Sequence, residues 1–250
     1  MAIRYIPIRN SIPFQDGGDV ALRQELEDYV AKTLAEAWVS RNGQKVPEAE
    51  GLGLNNVGVD LDATVLYADL AESTALVKQY SAFFAAEVYK TYLYTAARVI
   101  RKNGGVITAY DGDRVMAIYI GDNKNTSAAK TALQINWVVT KILNPKIAAQ
   151  YPNMNYKLQQ KVGIDTSAIM AARTGIRGSN DIVWVGTAAN NAAKLAARDS
   201  GYATYISGDT YSKLHRSAKY GGDDDSHMWA DLGVGTEGIR VYGSTWHWSI

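Results

Sequence analysis

Two aspartates carry the chemistry that this sequence offers. Asp69 ends an apolar, β-prone run over residues 59–68 and leads into the small and hydroxyl residues of AEST. Asp113 follows Asp111-Gly112, a dipeptide suited to a tight type I′ turn between the two β-prone halves of residues 106–120. This places Asp113 at the first position of the returning strand. If the two strands are sheet neighbours, both carboxylates stand at adjacent strand ends and converge. A lone carboxylate is costly to bury there, and a shared divalent cation removes that cost. Hard oxygen donors without a Cys-His set point to magnesium or manganese. Leu70, Ala71, Glu72, Ser73 and Thr74 follow at a helix start, where backbone N–H groups and two hydroxyls suit a phosphate. A second reading makes Asp69 a helix cap and Asp113 an ordinary post-turn residue.

Asn190 and Lys194 are spaced i, i+4 and share a helix face with Thr187 and Arg198 nearby. They read either as a donor amide and a cation for a phosphorylated ligand, or as a solvated polar face. Arg177, in GIRGSND, reads equally as a phosphate clamp or an exposed loop arginine. Two patterns are set aside. Gly233, Gly235 and Gly238 match GxGxxG but precede a short strand and read as a hairpin. Asp223-Asp224-Asp225 near His227 reads as a solvated acidic loop, and the three dispersed histidines support no Ser-His-Asp triad.

The composition bounds the rest. At 250 residues, with 47% hydrophobic and 20% charged residues, the chain suffices for one large core with extensions. A net charge of +1 gives no global case for nucleic-acid or membrane binding. Cysteine is absent, which excludes disulfides, thiolate nucleophiles and cysteine metal sites. No apolar run approaches the roughly 18 residues of a membrane span, and the first residues lack a signal-peptide core, so a cytoplasmic protein is expected. The Asn125-Thr126-Ser127 sequon reads as chance.

The elements that must position these residues follow from periodicity. Residues 1–18 read as an irregular lead-in. A helix is predicted from Asp19, its N-cap, to about Ser40, with a linker over residues 41–58. Residues 1–58 thus form an N-terminal extension, and 59–250 the main domain. That domain opens with a strand over 59–68 and a long helix over 72–102. The 106–120 hairpin comes next, then a helix over 126–150 kinked or broken at Pro145. Strands around Gly163 and an alanine-rich helix over 186–198, suited to close packing, follow. The order β-α-β-β-α-β indicates an α+β, ferredoxin-like split-βαβ fold.

With these motifs in place, residues 59 to about 245 resemble the class III nucleotidyl cyclase catalytic domain. VLYADLAEST and DGDRVMAIY resemble its two metal motifs, and KVGIDTSAIMAARTGIRG resembles the strand with a phosphate-binding arginine, here Arg177. VGTAANNAAKLA resembles the helix with the transition-state Asn and Arg, here Asn190 and Lys194. ISGDTYSKL resembles the strand and short helix that follow. Ala109 and Val183 stand where purine cyclases carry polar base-reading groups, and Lys194 replaces an arginine fork with a point charge. The whole pattern is similar to the bacterial pyrimidine cyclases of Pycsar anti-phage defence.

That resemblance implies a homodimer with shared sites. Asp69 and Asp113 of one chain would hold two Mg²⁺ or Mn²⁺ ions, and the partner would supply Asn190, Lys194 and Arg177. It implies conversion of UTP, or secondly CTP, to a cyclic monophosphate that activates a separate effector. Tyr67, Tyr110 and Trp184 are candidate walls of a small base pocket, although each also reads as strand core, and Val183 is a further substrate-binding candidate. A purine cyclase, or a cyclase-like module that binds nucleotide without turnover, are the alternatives. A polymerase-palm or diguanylate-cyclase relative lacks support, because no GGDEF-like hairpin is present.

Overall fold

The computed structural model describes residues 17–198, 201–235 and 238–250. Contacts divide it into one unit ending at Val39 and a second running from Ser40 to Ile250. The first unit holds helix α1 (Gly17–Ala35), which starts ahead of the expected cap Asp19 and stops short of Ser40. Most of the expected lead-in, residues 1–16, lies outside the described residues. The division at residue 39 also departs from the expected boundary at 58. Strand β1 (Val39–Asn42) pairs with β2 (Val57–Leu70), and a 3-10 turn (Ala49–Gly51) lies between them. Leu52 is buried in the core, and its carbonyl accepts a bond from Arg173 at 3.0 Å. Leu52 and the β1 pairing tie this stretch to the sheet, so it is not a free linker.

From β2 the chain forms α2 (Ser73–Gln79), α3 (Ala82–Lys102), β3 (Val106–Asp111) and β4 (Arg114–Tyr119). Then come α4 (Lys124–Val138), a π-helical turn (Val139–Leu143), α5 (Asn144–Gln150), β5 (Gln160–Ile176), β6 (Ser179–Val185) and α6 (Thr187–Ala196). The chain ends with β7 (Thr204–Ser207), α7 (Gly208–Ser212), a small hairpin of β8 (Tyr220–Gly221) and β9 (Ser226–His227), then β10 (Ala230–Val234) and β11 (Arg240–Ser244). The large sheet runs β10-β11-β7-β5-β2-β4-β3, with β1 on β2 and β6 on β5. The four strands at one end of it, β5-β2-β4-β3, have the antiparallel order of a ferredoxin-like split βαβ.

Alternation along β2 builds two cores. Leu66, Ala68 and Leu70 enter one with α3 and α4, while Val59, Leu61, Ala63 and Val65 enter the other with α6. On the α6 face, Gly163 of β5 lets the helix backbone touch the sheet. A Cβ there would stand 2.1 Å from the Ala192 carbonyl oxygen and 2.4 Å from the Ala196 nitrogen. The alanine-rich α6 therefore packs as closely as its composition suggests.

Two expected helices are interrupted. The 72–102 helix is two helices, because Tyr80 is extended and the Ser81 hydroxyl accepts the Phe84 N–H at 3.3 Å as a new N-cap. Apolar spacing continues across this break, so periodicity conceals it. In the second, Pro145 lies at the start of α5, has no N–H to donate, and the preceding turn widens to π geometry. Asn125 of the sequon is buried and accepts a bond from Thr64 at 3.1 Å, which leaves no exposed glycan acceptor there. β10 and β11 pair antiparallel, the hairpin expected of the glycine-rich stretch. No helix among the described residues is long and apolar enough to cross a membrane.

Gly163→Ala is expected to destabilise the protein by about 3 kcal/mol or more, because the methyl group meets backbone rather than a movable side chain. Chemical denaturation measures this. An unchanged midpoint would mean that α6 can lift from β5 without cost.

Candidate active site

Asp69 stands near the end of β2, between β4 and β5. In the ladder it faces Arg114 on one side and Lys161 on the other, so the carboxylate has a cation in register on both neighbours. The β3–β4 hairpin brings Asp113 to the same place by a different turn from the one expected. Asp111 pairs with Arg114, which makes Gly112-Asp113 the two-residue loop. Gly112 has φ 60, whereas Asp111 and Asp113 are not among the residues with positive φ. Positive φ at the first loop position alone is the type II′ pattern, not type I′. Asp113 therefore sits in the turn itself, and Asp111 remains in β3, where it binds Arg114 at 3.2 Å.

A cavity of about 460 Å³ opens over this strand end. Asp69, Leu70, Ala71, Glu72, Ser73, Thr74 and Asp113 line it, so seven of the sequence candidates meet here. Two contribute less than expected as phosphate donors. The Leu70 side chain is buried in the core, and the Ala71 N–H is already given to the Gln159 carbonyl at 3.0 Å. Glu72, in the left-handed region at φ 59, turns the chain into the short α2. Ser73 and Thr74 remain as hydroxyl donors on the wall.

Burial, with the Asp113 charge second, pushes the Asp69 carboxyl up to about 6, although Arg114 opposes the shift. Beneath it, the fully buried Tyr92 donates its hydroxyl to the Asp69 backbone carbonyl at 3.2 Å and braces the strand end. Two carboxylates held together against their own repulsion fit a hard divalent cation. Among the described residues no group of three or more acidic, histidine or cysteine side chains gathers. Any cation held by this pair must take its remaining ligands from substrate phosphates and water, as magnesium and manganese do.

The remaining candidates lie elsewhere in the chain. Arg177 is in the two-residue turn between β5 and β6, at the end of β5 opposite Lys161. Asn190 and Lys194 are on the outer face of α6, while Ala188, Ala189 and Ala192 face the core. Tyr67, Ala109 and Trp184 each pack half-buried against the α6-side core. Val183 and Trp184 are consecutive on β6 and point to opposite faces, Val183 to the exposed one. Tyr110 is exposed.

Six cavity residues were not among the candidates for this site: Arg114, Gln159, Lys161, Ala196, Ala197 and Arg198. Lys161 donates to the Arg198 carbonyl at 2.6 Å, which ties β5 to the end of α6. Arg114 adjoins Asp113 in sequence and Lys161 lies two residues before Gly163, yet only the strand register reveals that both flank Asp69.

The raised Asp69 pKa has a definite sign in folding. The folded state binds the extra proton between the usual 3.8 and about 6, so this group's contribution to stability is present below 3.8 and lost as pH rises through about 6. Without bound cations, Asp69→Asn is expected to be more stable than the parent at pH 7 by about 1–2 kcal/mol after allowance for solvent screening. The two proteins converge near pH 4. Denaturation curves across pH 4–7 measure the difference, and a less stable variant at pH 7 would contradict the strain.

No family model matches the chain. A uridylate cyclase of Burkholderia cepacia is 47% identical over 233 residues, covering 92% of this chain and 100% of its own. One from Xanthomonas perforans is 45% identical over 233 residues, with the same coverage of 92% and 100%. Among solved structures, the adenylyl cyclase CyaB from P. aeruginosa superposes with a TM-score of 0.63 at 22% identity, over 75% of this chain and 95% of that one. The fold matches class III nucleotidyl cyclases, and with full-length relatives at this identity the chain belongs to the uridylate cyclase family, enzymes that are phosphorus–oxygen lyases.

Proposed function

We propose that the chain converts UTP to 3′,5′-cyclic UMP and pyrophosphate, with CTP as the second choice. The observation that carries this is the convergence of Asp69 and Asp113 in one cavity with cations on both neighbouring strands. The substrate assignment leans on the uridylate cyclase relatives and on Ala109 and Val183, which offer no polar group to a purine edge.

In this reading Asp69 and Asp113 hold two magnesium or manganese ions, whose chemistry when bound is to acidify the ribose 3′-hydroxyl and to bind the triphosphate. The 3′-oxygen attacks the α-phosphorus in line, and pyrophosphate departs. Lys161, from the same chain, offers its ammonium to the phosphates. Ser73 and Thr74 offer hydroxyls. Asn190, Lys194 and Arg177 come from a second copy, packed head to tail, because they face outward or lie remote from their own chain's carboxylates. There Asn190 orients the ribose, while Lys194 and Arg177 neutralise charge that develops on the phosphates. Tyr67 and Trp184 border the base. The product would act in the cytoplasm on a separate effector, as a signal in anti-phage defence.

Purified protein incubated with ATP, GTP, CTP or UTP and manganese, with products resolved by mass spectrometry, tests this reading. Cyclic UMP is expected. Asp69→Asn and Asp113→Asn are expected to lower turnover by about a thousandfold or more, the scale of several kcal/mol of lost charge stabilisation. A purine product would overturn the specificity. Failure with all four nucleotides would favour a binding module.

A further inference from the structure

Lys161, Gly163, Asp165 and Ser167 fall at every second position of β5 and so share one face. Each meets α6 or the residues just after it. Lys161 donates to the Arg198 carbonyl at 2.6 Å, and Gly163 lies against the backbone at Ala192 and Ala196. Asp165 accepts a bond from the Asn191 amide at 2.8 Å, and the Ser167 hydroxyl accepts the Ala188 N–H at 3.0 Å. Of these four contacts, only Asp165–Asn191 joins side chain to side chain. The residues that α6 buries are four alanines and Leu195, and methyl groups form shallow ridges that hold a helix's rotation weakly. Asp165 is 3% exposed and has no ion-pair partner among the described residues. A carboxylate buried in this way is costly without its donor, and because it accepts and never donates, it dictates which end of the Asn191 amide faces the strand.

We propose that Asp165 is a positioning residue for turnover: through Asn191 it locks the rotation of α6 that presents Asn190 and Lys194 outward. Its bearing on catalysis rests on the two-chain site proposed above. Each residue turns a helix by about 100°, so holding Asn191 fixes where its neighbour Asn190 points, and Lys194 one turn further on. Asp165 itself touches no reacting atom. It shares its row of β5 with Lys161, which faces Asp69 across the ladder. One strand face thus aligns the carboxylate half of one site and, through α6, the amide half of the other.

Asp165→Ala and Asn191→Ala each remove the bond, and Asn191→Asp sets two carboxylates against each other. The Asp165→Asn/Asn191→Asp double variant restores the bond with donor and acceptor exchanged. With UTP and manganese, both alanine variants should lower kcat per folded molecule about ten- to a hundredfold, with KM changed less than about threefold. The exchanged pair should recover kcat to within about threefold of the parent, well above Asn191→Asp alone. Subunit exchange locates the defect. Mixed with Asp69→Asn, Asp165→Ala should return about a quarter of the parental activity, because one site then combines its carboxylates with an intact α6. Mixed with Asn190→Ala it should return none, since both defects lie on α6. A residue that merely supports folding would not divide the two mixtures in this way.

Unchanged kcat in both alanine variants, recovery of Asp165→Ala by Asn190→Ala, or no recovery with Asp69→Asn despite demonstrated exchange overturns the proposal. Where Asp165→Ala fails to fold, Asn191→Ala enters the same mixtures. Amide hydrogen exchange along α6 reads the clamp without substrate, and should rise about tenfold when the bond is removed. If the parent makes no cyclic nucleotide while exchange along α6 rises, the clamp stands and the cyclase reading falls. If the parent turns over UTP while exchange and kcat are unchanged in the variants, the cyclase reading stands and the clamp falls.

Discussion

Two like charges held at one half-buried strand end are the constraint on which the rest of this domain depends. Asp69 cannot relax away from Asp113. Its strand lies between β4 and β5, its carbonyl is braced by Tyr92 from below, and its neighbours in register are fixed. Burial first and the Asp113 charge second raise the Asp69 carboxyl, and Arg114 only partly offsets them. In the proposed reaction, divalent cations with a polyanionic ligand would convert that cost into affinity, since the carboxylates are already in place. The fold supplies this pre-organisation through strand order: Asp69 comes from a central strand and Asp113 from the hairpin beside it.

The same geometry argues for two chains per site. β5 holds Lys161 at one end, and the turn carrying Arg177 follows its other end, which is roughly 50 Å of extended chain. Asn190 and Lys194 point outward because the alanines of α6 occupy the sheet side, where Gly163 admits the helix backbone. Close packing thus fixes which face of α6 is free. A head-to-tail pair would bring these outward groups over a neighbour's carboxylates and give two equivalent sites.

Much of this was legible in the sequence, and the misses have physical causes. The carboxylate pair, the split-βαβ order and the close packing of α6 could be read because each has a local signature: a charged strand end, a period change, a run of alanines. The turn at residues 111–114 could not, because Asp-Gly suits type I′ whereas the strand register decides which pair of residues forms the loop. The break at Tyr80-Ser81 hid within continuous apolar spacing. Lys161 and Arg114 were missed because their meaning lies in which residue they face, a long-range fact absent from local pattern. The stretch at 41–58 looked like a linker because glycine and proline mark both free loops and tight ones, and only Leu52 and the pairing of β1 tell them apart.

Complementation between two inactive variants tests the composite site most directly. Asp69→Asn lacks the carboxylate pair but keeps α6, and Asn190→Ala lacks the α6 amide but keeps the pair. Each should be nearly inactive alone. After equimolar mixing and subunit exchange, half of the dimers would carry one intact site, and about a quarter of the parental activity should return. No recovery despite demonstrated exchange, or a fully active Asn190→Ala, would contradict a site shared between two chains.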